Sequence, residues 1–508
     1  MHVAAKQDWL KLNEQDSVLV ALADLPAGTK VGDGLTVSEA IPRGHKLARR
    51  AIAVGEPVMK FGIPIGIATR PIAAGTHIHT HNLEFQTMWV NWRLGGSATT
   101  PKPANRSVGF EGFKREDGRV GTRNYLGVLT TVNCSATVAR LIADRFRREV
   151  DLSAFPTIDG IASLTHHQGC GARGDGPNIA LLRRTLAGYA HHPNFAGVLV
   201  VALGCEDNQV HDFMAKAGLH ASERLKPLII QEEGGTEATV RAAIDALKTM
   251  IEPAAAAKRE PVGAENLVVG LQCGGSDGFS ALTANPALGK AVDLLAAAGG
   301  TGILSETPEI YGAESLLLAR VTDAAVGEKL IELIRWWEEH ASHDNGSLDN
   351  NPSPGNKAGG ITTILEKSLG AVAKSGSSPL TAVYRYAEPI TAKGAVFMDS
   401  PGYDPVSATG QVAAGANLVC FTTGRGSCFG CKPAPSLKLA TNTPMYQRMK
   451  GDMDINCGEI VDGTASMDEM GERIFDLMLR TASGQKTRSE ELGYGDEEFV
   501  PWNYGATY

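Results

Sequence analysis

No apolar run in this chain approaches the roughly 20 residues that a membrane-spanning helix needs. The first residues, MHVAAKQDWLKLNEQDS, lack the apolar stretch of a secretory signal. There is no excess of positive charge either: 48 Lys and Arg stand against 56 Asp and Glu, a net charge of −8. That balance argues against a nucleic acid or a membrane as the main partner. Cysteine is sparse, eight in 508 residues, which is too thin for a disulfide scaffold. A reducing cytoplasm is the expected setting. What remains is a globular chain, 43% hydrophobic and 20% charged, long enough for about three domains. Glycine is in excess: 58 residues, about 11% against a usual ~7%. Such a chain has many tight strand-to-helix turns.

The pattern divides the chain. Residues 1–90 read as a small β-rich head, with short alternating runs such as Asp16–Leu22 and Pro57–Gly62 broken by Pro and Gly. Helical periodicity there is limited to pieces near Ser38–Ile41 and Lys46–Ala51. Residues 91–107 lose periodicity and read as a linker. From residue 108 strands alternate with helices, which predicts a body of mostly parallel sheets and an α+β multidomain class overall. A break at Glu252–Pro261 divides the body into domains at 108–258 and 262–508. His340–Gly359 reads as a polar loop, and Met467–Ala482 as a closing helix.

Four cysteines share one context. Cys134, Cys170, Cys205 and Cys273 each follow a predicted strand and precede a turn or helix. Strand C-termini of a parallel sheet gather at one edge, so the four are expected to converge there. Thiolates at such an edge suit iron or an iron–sulfur cluster; small buried cysteines at tight turns are the other reading. Nearby lie His166 and His167, Glu206 and Asp207, and Ser276 and Asp277, on glycine-rich turns whose N–H groups bind anions. In Gly75–Asn82, His77, His79 and His81 alternate, which on a strand places them on one face, an array suited to a first-row metal. Lys357, in the loop Asn351–Gly360, and Arg425, in Thr422–Ser427, are candidate clamps for a carboxylate.

Three shorter patterns are incomplete. Gly169–Gly174 fits G-x-G-x-x-G but lacks the acidic residue about 20 positions on. Gly274–Gly278 fits G-x-S-x-G, with His340 and His343 as the later histidines. Cys428-Phe-Gly-Cys431 has no second pair nearby.

Taken together, RGHKLA, KFGIPIG, HIHTHN, DGRVGTRN (117–124), HHQGCG (166–171), ALGCEDNQV (202–210), CGGSDGFSALTANP (273–286), SETPEIYGAE (305–314), NPSPGNKAGG (351–360) and TTGRGS (422–427) carry a resemblance through most of the chain. The sequence resembles the altronate/galactarate dehydratase family of sugar-acid dehydratases, and its head resembles the SAF-type β-clip domain. His45 and His166 match histidines of the whole family, whereas His77, His79 and His81 match the altronate branch. The departure is at Cys428–Cys431, after the GRG turn.

The resemblance implies loss of water from a sugar acid, of altronate or galactarate type, to give a 2-keto-3-deoxy acid. The chemistry demands a base for the C2 proton, an acid for the departing C3 hydroxyl and positive charge for the enediolate. The expected metal is divalent, Fe2+ or Mn2+, bound by His79 and His81 with His77 alongside and His45 as third ligand or acid–base group. Cys134, Cys170, Cys205 and Cys273 are the alternative ligands, with an iron–sulfur cluster as the alternative cofactor. His166 is the expected base, and Glu206 and Asp277 supporting acids. Asn285, Asn356, Lys357 and Arg425 are the expected substrate-binding residues. The head is expected to close over the body. The aromatic end DEEFVPWNYGATY points to self-association, a homodimer. Two rival readings are a nucleotide-dependent oxidoreductase using the Gly169–Gly174 turn and a non-catalytic sugar-acid-binding protein.

Overall fold

The short alternating runs of the head form antiparallel sheets too small to stand alone. Strands Trp9–Leu10, Val18–Ala21, Lys46–Ala48 and His77–Ile78 make one, and Pro57–Lys60, Ile63–Ala68 and Leu83–Glu84 another. The computed structural model describes residues 7–32, 34–86, 92–99, 108–171, 173–343 and 346–505. Among the described residues the head holds no helix. Lys46–Ala48, expected within a helical piece, is a strand, because its partners Val18–Val20 and His77–Ile78 supply a ladder on both sides. Of the expected linker, 91 and 100–107 lie outside the described residues. Residues 92–99 strap onto the body instead of crossing solvent: Gly95 N–H donates to Leu318 O at 2.9 Å, Ser97 N–H to Ala319 O at 2.9 Å, and Trp92 Nε1 to Glu314 Oε1 at 3.1 Å.

The body carries two parallel sheets. The first orders Gly160–Leu164, Tyr125–Thr130, Phe195–Ala202 and Leu225–Ile229. All eight residues of Phe195–Ala202 and all six of Tyr125–Thr130 are buried, as helices covering both faces require. Ala136–Glu149 and Thr236–Ala256 pack one face, and Pro177–Ala190 the other. Full burial of each Val, Leu or Ile in these strands is worth about 1.5–3 kcal/mol, so layering dominates their stability. The break expected at Glu252–Pro261 begins later: Thr236–Ala256 stays helical through Pro253, and the alanines after it propagate the last turn.

The second sheet has seven parallel strands, in the order Leu380–Tyr384, Gly394–Met398, Thr301–Leu304, Val268–Cys273, Leu418–Thr423, Ser436–Ala440 and Ile455–Asn456. Its order reverses at Val268–Cys273: the next three strands, through residue 398, lie on one side, with Gly394–Met398 inserted inside Leu380–Tyr384, and the strands from residue 418 lie on the other. Ligands of such sheets bind beyond the strand C-termini at this switch point. Helices Pro177–Ala190 and Asp404–Ala413 pack against each other, so the two sheets share a core that includes Leu186, Tyr189, Val412 and Phe421. The expected loop 340–359 contains structure: the preceding helix runs to His343, and Pro354–Ala358 is a short helix whose N-cap Ser353 and N3 Asn356 form a capping box. No helix among the described residues is long and apolar enough to cross a membrane.

Candidate active site

Register brings the histidines together. Lys46 pairs with Ile78 and Leu47 with His77, so His45, one residue before its strand, lies beside the 77–79 segment. His45 Nδ1 and His77 Nε2 are 3.0 Å apart, and the His79 ring centroid lies 5.0 Å from that of His45 and 5.4 Å from that of His77. One ring nitrogen from each lies within 4.8 Å of the others. Metal–nitrogen bonds of about 2.1 Å place neighbouring ligand nitrogens at such separations. Burial first, then neighbouring positive charge, pushes the His77 imidazole down to about 4 and that of His79 to about 3, and lowers His45 too. At neutral pH the three rings are therefore uncharged, the form that binds a cation. His79 Nδ1 is buried without a hydrogen-bond partner, an orphan that a metal would satisfy.

His81 stands outside this trio, contrary to the expectation. The strand ends at Ile78, where Asn82 Oδ1 accepts from His79 N–H at 3.0 Å and turns the chain. The period-2 alternation stops there, and His81 is exposed, its ring 5.5 Å from that of His77.

The trio faces the body. His45 Nε2 lies 3.4 Å from Ala358 O at the end of the short helix. Lys46 Nζ donates to Gly360 O at 2.6 Å and to Glu366 at 2.8 Å, and Lys60 Nζ donates to Glu366 at 2.7 Å. Gly360 has φ +102°, and a side chain there would place its Cβ 2.4 Å from Gly44 O, so only glycine permits this approach of head to body.

The same short helix also lines a cavity of about 410 Å³ at the switch point, with Cys273, Glu309, Asn351, Asn356, Lys367 and Asp404 among its walls. Lys367 Nζ donates to Glu309 Oε1 at 2.6 Å and to Asn351 Oδ1 at 2.7 Å. Lys374 Nζ donates to Cys273 Sγ at 3.0 Å and stands 3.6 Å from Glu306. Burial would raise the Glu309 carboxyl, but Lys367 and Lys374 outweigh it and hold Glu309 ionised. Burial and the Glu309 charge push Asp404 up to about 7, and burial pushes Cys273 up to about 12. Glu306 has φ +72°, and neither of its buried carboxylate oxygens has a hydrogen-bond partner. Cys273, Glu306 and Glu309 are close enough to share a metal, yet the Lys374 ammonium already supplies a cation beside the thiol and Glu306.

Glu306, Glu309, Lys367, Lys374 and Asp404 escaped the sequence reading. One signal was present: Lys367 and the C-cap Lys374, seven apart along the helix Ile364–Ala373, lie on one face and so point the same way.

The residues that were expected fall into three groups. Lys357, half-buried, is on the short helix Pro354–Ala358 and Arg425, exposed, on the loop after Leu418–Thr423, and neither side chain makes an ion pair or hydrogen bond among the described residues. Asp277, Asn285 and Asn356 are at the same sheet edge but fully engaged. Asp277 accepts from Phe279 N–H, Ser280, Thr441 and Asn442. Asn285 bonds Gly370 O and Thr422, and Asn356 bonds Ser276 O and Ser353. Their polar atoms hold the loops in place.

His166 and Glu206 belong to the four-stranded sheet instead. His166 Nε2 donates to Thr130 O at 2.9 Å, and Nδ1 accepts from Gln168 N–H at 3.1 Å, so no ring nitrogen is left for the base role expected of it. Glu206 accepts from Thr131, Leu203 N–H and Gly204 N–H. Nor do the four cysteines converge. Cys134, Cys170 and Cys205 lie at the C-terminal edge of the four-stranded sheet, and Cys273 in the seven-stranded one. The Gly169–Gly174 turn sits in a long loop whose described part bears the exposed pair Arg173–Asp175; Ala172 is outside the described residues.

Three family models match the chain: Altronate/galactarate dehydratase SAF domain over residues 7–86, D-galactarate dehydratase/Altronate hydrolase second domain over 112–255, and D-galactarate/Altronate dehydratase C-terminal over 264–507. Among similar proteins, the altronate dehydratase of Bacillus subtilis (strain 168) is 36% identical over 99% of this chain and 100% of its own length. The altronate dehydratase of Escherichia coli (strain K12) is 38% identical over 95% of this chain and 96% of its own. The galactarate dehydratase (L-threo-forming) of the same strain is 35% identical over 96% of this chain and 95% of its own.

Proposed function

The chain belongs to the altronate/galactarate dehydratase family, and on that premise we propose that it is a hydro-lyase that removes water from an altronate-type aldonate to give a 2-keto-3-deoxy acid. The observation that carries the reading of its site is the His45–His77–His79 trio, which faces the carbonyl of a helix that also lines the switch-point cavity. Three neutral imidazoles, one with a buried orphan nitrogen, fit a divalent metal, Fe2+ or Mn2+. Such an ion supplies the positive charge that an enediolate requires.

The chain's own residues do the rest. Lys357 and Arg425, whose side chains make no ion pair or hydrogen bond among the described residues, hold the substrate carboxylate. Asp404 takes the C2 proton: it lines the cavity, and its carboxyl is poised near neutrality. The C3 hydroxyl leaves as water with the proton that Asp404 took, and the enol then gains a proton at C3 as its C2 hydroxyl gives one up to solvent, which yields the keto acid. Lys367, fixed by Glu309 and Asn351, holds a positive charge at the cavity wall.

The test is anaerobic incubation of the metal-loaded protein with a panel of aldonates and aldarates, followed by an assay for 2-keto-3-deoxy acid. Aldonates should be turned over ahead of aldarates, and no turnover on any member overturns the reading. Lys357→Met and Arg425→Met should each raise KM roughly 10- to 100-fold, the worth of one charged hydrogen bond, with a smaller change in kcat. Both KM values staying at wild type would remove the carboxylate clamp from these residues. Asp404 acts as a base only when ionised, so kcat/KM should rise with pH through about 7 and level off above it. Asp404→Asn should abolish that limb and lower kcat about 100-fold; a pH profile unchanged in this variant would assign the limb elsewhere.

A further inference from the structure

We propose that Cys134, Cys170 and Cys205 form a three-thiolate site for an iron–sulfur cluster, separate from the histidine trio. The three residues end neighbouring strands of one parallel sheet. Thr130 pairs with Val201, and Cys134 and Cys205 each lie four residues beyond that pair. Leu129 pairs with Leu164, and Cys170 lies six residues beyond it. The strands are adjacent in the order Gly160–Leu164, Tyr125–Thr130, Phe195–Ala202, so the three loops share one edge.

All three thiols are free and exposed. Cysteine is among the residues most often buried, and an exposed free thiol is a liability that chains usually avoid. Here Cys273, Cys420, Cys431 and Cys457 follow that habit, whereas three of the four exposed cysteines gather at one sheet edge.

The loops that carry them are locked together. Asn133 N–H donates to Gln168 O at 2.9 Å, Asn208 N–H to Gly169 O at 3.0 Å, Asn208 Nδ2 to Thr131 O at 3.1 Å, and Gly171 N–H to Asp207 Oδ2 at 2.7 Å. Gly169 has φ +102°, and a Cβ there would lie 2.3 Å from Thr131 O, so glycine lets the Cys170 loop press onto the Cys134 loop. Gln231 Nε2 donates to Cys205 Sγ at 3.4 Å, the kind of N–H···S contact that tunes a cluster thiolate. His166 and Glu206, fully engaged with backbone at this edge, hold the same loops in place.

The three thiols are not gathered closely enough for one ion to bind them all. A tetrahedral metal with bonds of about 2.3 Å to sulfur needs sulfurs roughly 3.8 Å apart. Among the described residues, the metal-competent groups gathered within 4.8 Å are the histidine trio and Cys273 with Glu306 and Glu309; these three thiols are not one of them. A cluster of several irons and sulfides spans more widely set thiolates. Three thiolates on a four-iron cluster leave one iron open to an outside ligand.

The test is to purify the full chain without oxygen, reconstitute it with equal ferrous and ferric iron and sulfide, and count iron and acid-labile sulfide. About four of each per chain are expected, with a broad visible thiolate-to-iron charge-transfer band. Cys134→Ser, Cys170→Ser and Cys205→Ser should each lose most of that band and of the labile sulfide. Cys428→Ser, exposed but outside the trio, and His77→Ala/His79→Ala should retain both. The three side chains are exposed, so the Ser variants should keep the circular dichroism and melting temperature of the cluster-free wild type. Wild-type protein without labile sulfide, or holding only zinc or sulfide-free iron, overturns the proposal, as do Ser variants that keep the band. Because the readout is the cluster and not the keto acid, its failure is distinct from failure of the dehydratase reading.

Discussion

Replacing His77 and His79 together by Ala should give a folded protein that loses one divalent metal per chain on dialysis, apart from any iron accompanied by labile sulfide, and whose kcat/KM is lower by roughly 1000-fold, the several kcal/mol a metal contributes by stabilising charge. The fold should survive because the local turn is held by main chain: Asn82 Nδ2 donates to His77 O at 2.9 Å, and Asn82 Oδ1 accepts from His79 N–H. Neither bond needs an imidazole. Removing His79 also removes a buried nitrogen without a partner, which offsets loss of the 3.0 Å contact between His77 and His45, so the metal-free variant should melt close to the metal-free parent. His81→Ala is the discriminating control. Its ring is exposed and outside the close group, so metal content should be unchanged. Elemental analysis checks all three proteins, and a double variant with undiminished metal would move the metal away from the head.

The trio also marks how far sequence reasoning reached. Spacing alone picked out residues 77, 79 and 81, because alternation on a strand shares one face. It missed that Asn82 ends the strand at Ile78 and throws His81 into solvent. His45 joins through strand register, a non-local fact that no spacing carries. The buried strands of the body were legible because parallel strands covered on both faces read as continuous apolar runs. The cysteines at their ends were legible for the same reason, but not that the strands belong to two sheets, which separates Cys273 from the others. Least legible were the buried charges. Lys46, Lys60, Lys367 and Lys374 look like surface residues in a list of letters, and only their packing against Glu366, Glu309 and Glu306 shows otherwise. The segment 351–360 reads as a polar loop by composition, although Ser353-Pro354 followed by Asn356 already spells a helix start with its capping box.

Glu366 is where such a hidden charge should cost most. It sits on the body helix Ile364–Ala373, and it holds Lys46 and Lys60 of the head together with Thr362 N–H and Oγ1. Glu366→Ala would leave two ammonium groups buried and facing each other without a counterion. Breaking a buried pair this way costs about 3–5 kcal/mol, and here the loss falls on the contact between head and body. The variant should melt earlier, and the amides of Lys46–Ala48 should exchange faster than those of Phe195–Ala202. The combined change Lys46→Met, Lys60→Met, Glu366→Leu should recover most of that loss, because it removes the stranded charges along with their partner. A melting temperature and exchange pattern equal to wild type in Glu366→Ala would show that the triad does not hold the head. Acid should act on the same contact. Burial would raise the Glu366 carboxyl, but Lys46 and Lys60 outweigh it and depress it far below its ordinary 4.5. A depressed carboxyl stabilises the fold fully above its unfolded pKa and loses that contribution as pH falls through the folded one. Head docking in the wild type should therefore weaken only below about pH 4.5, while Glu366→Ala should lack this acid-dependent step. Because His45 is the neighbour of Lys46 and faces Ala358, loss of docking should also remove one corner of the metal site, so activity and stability should fall together in this variant.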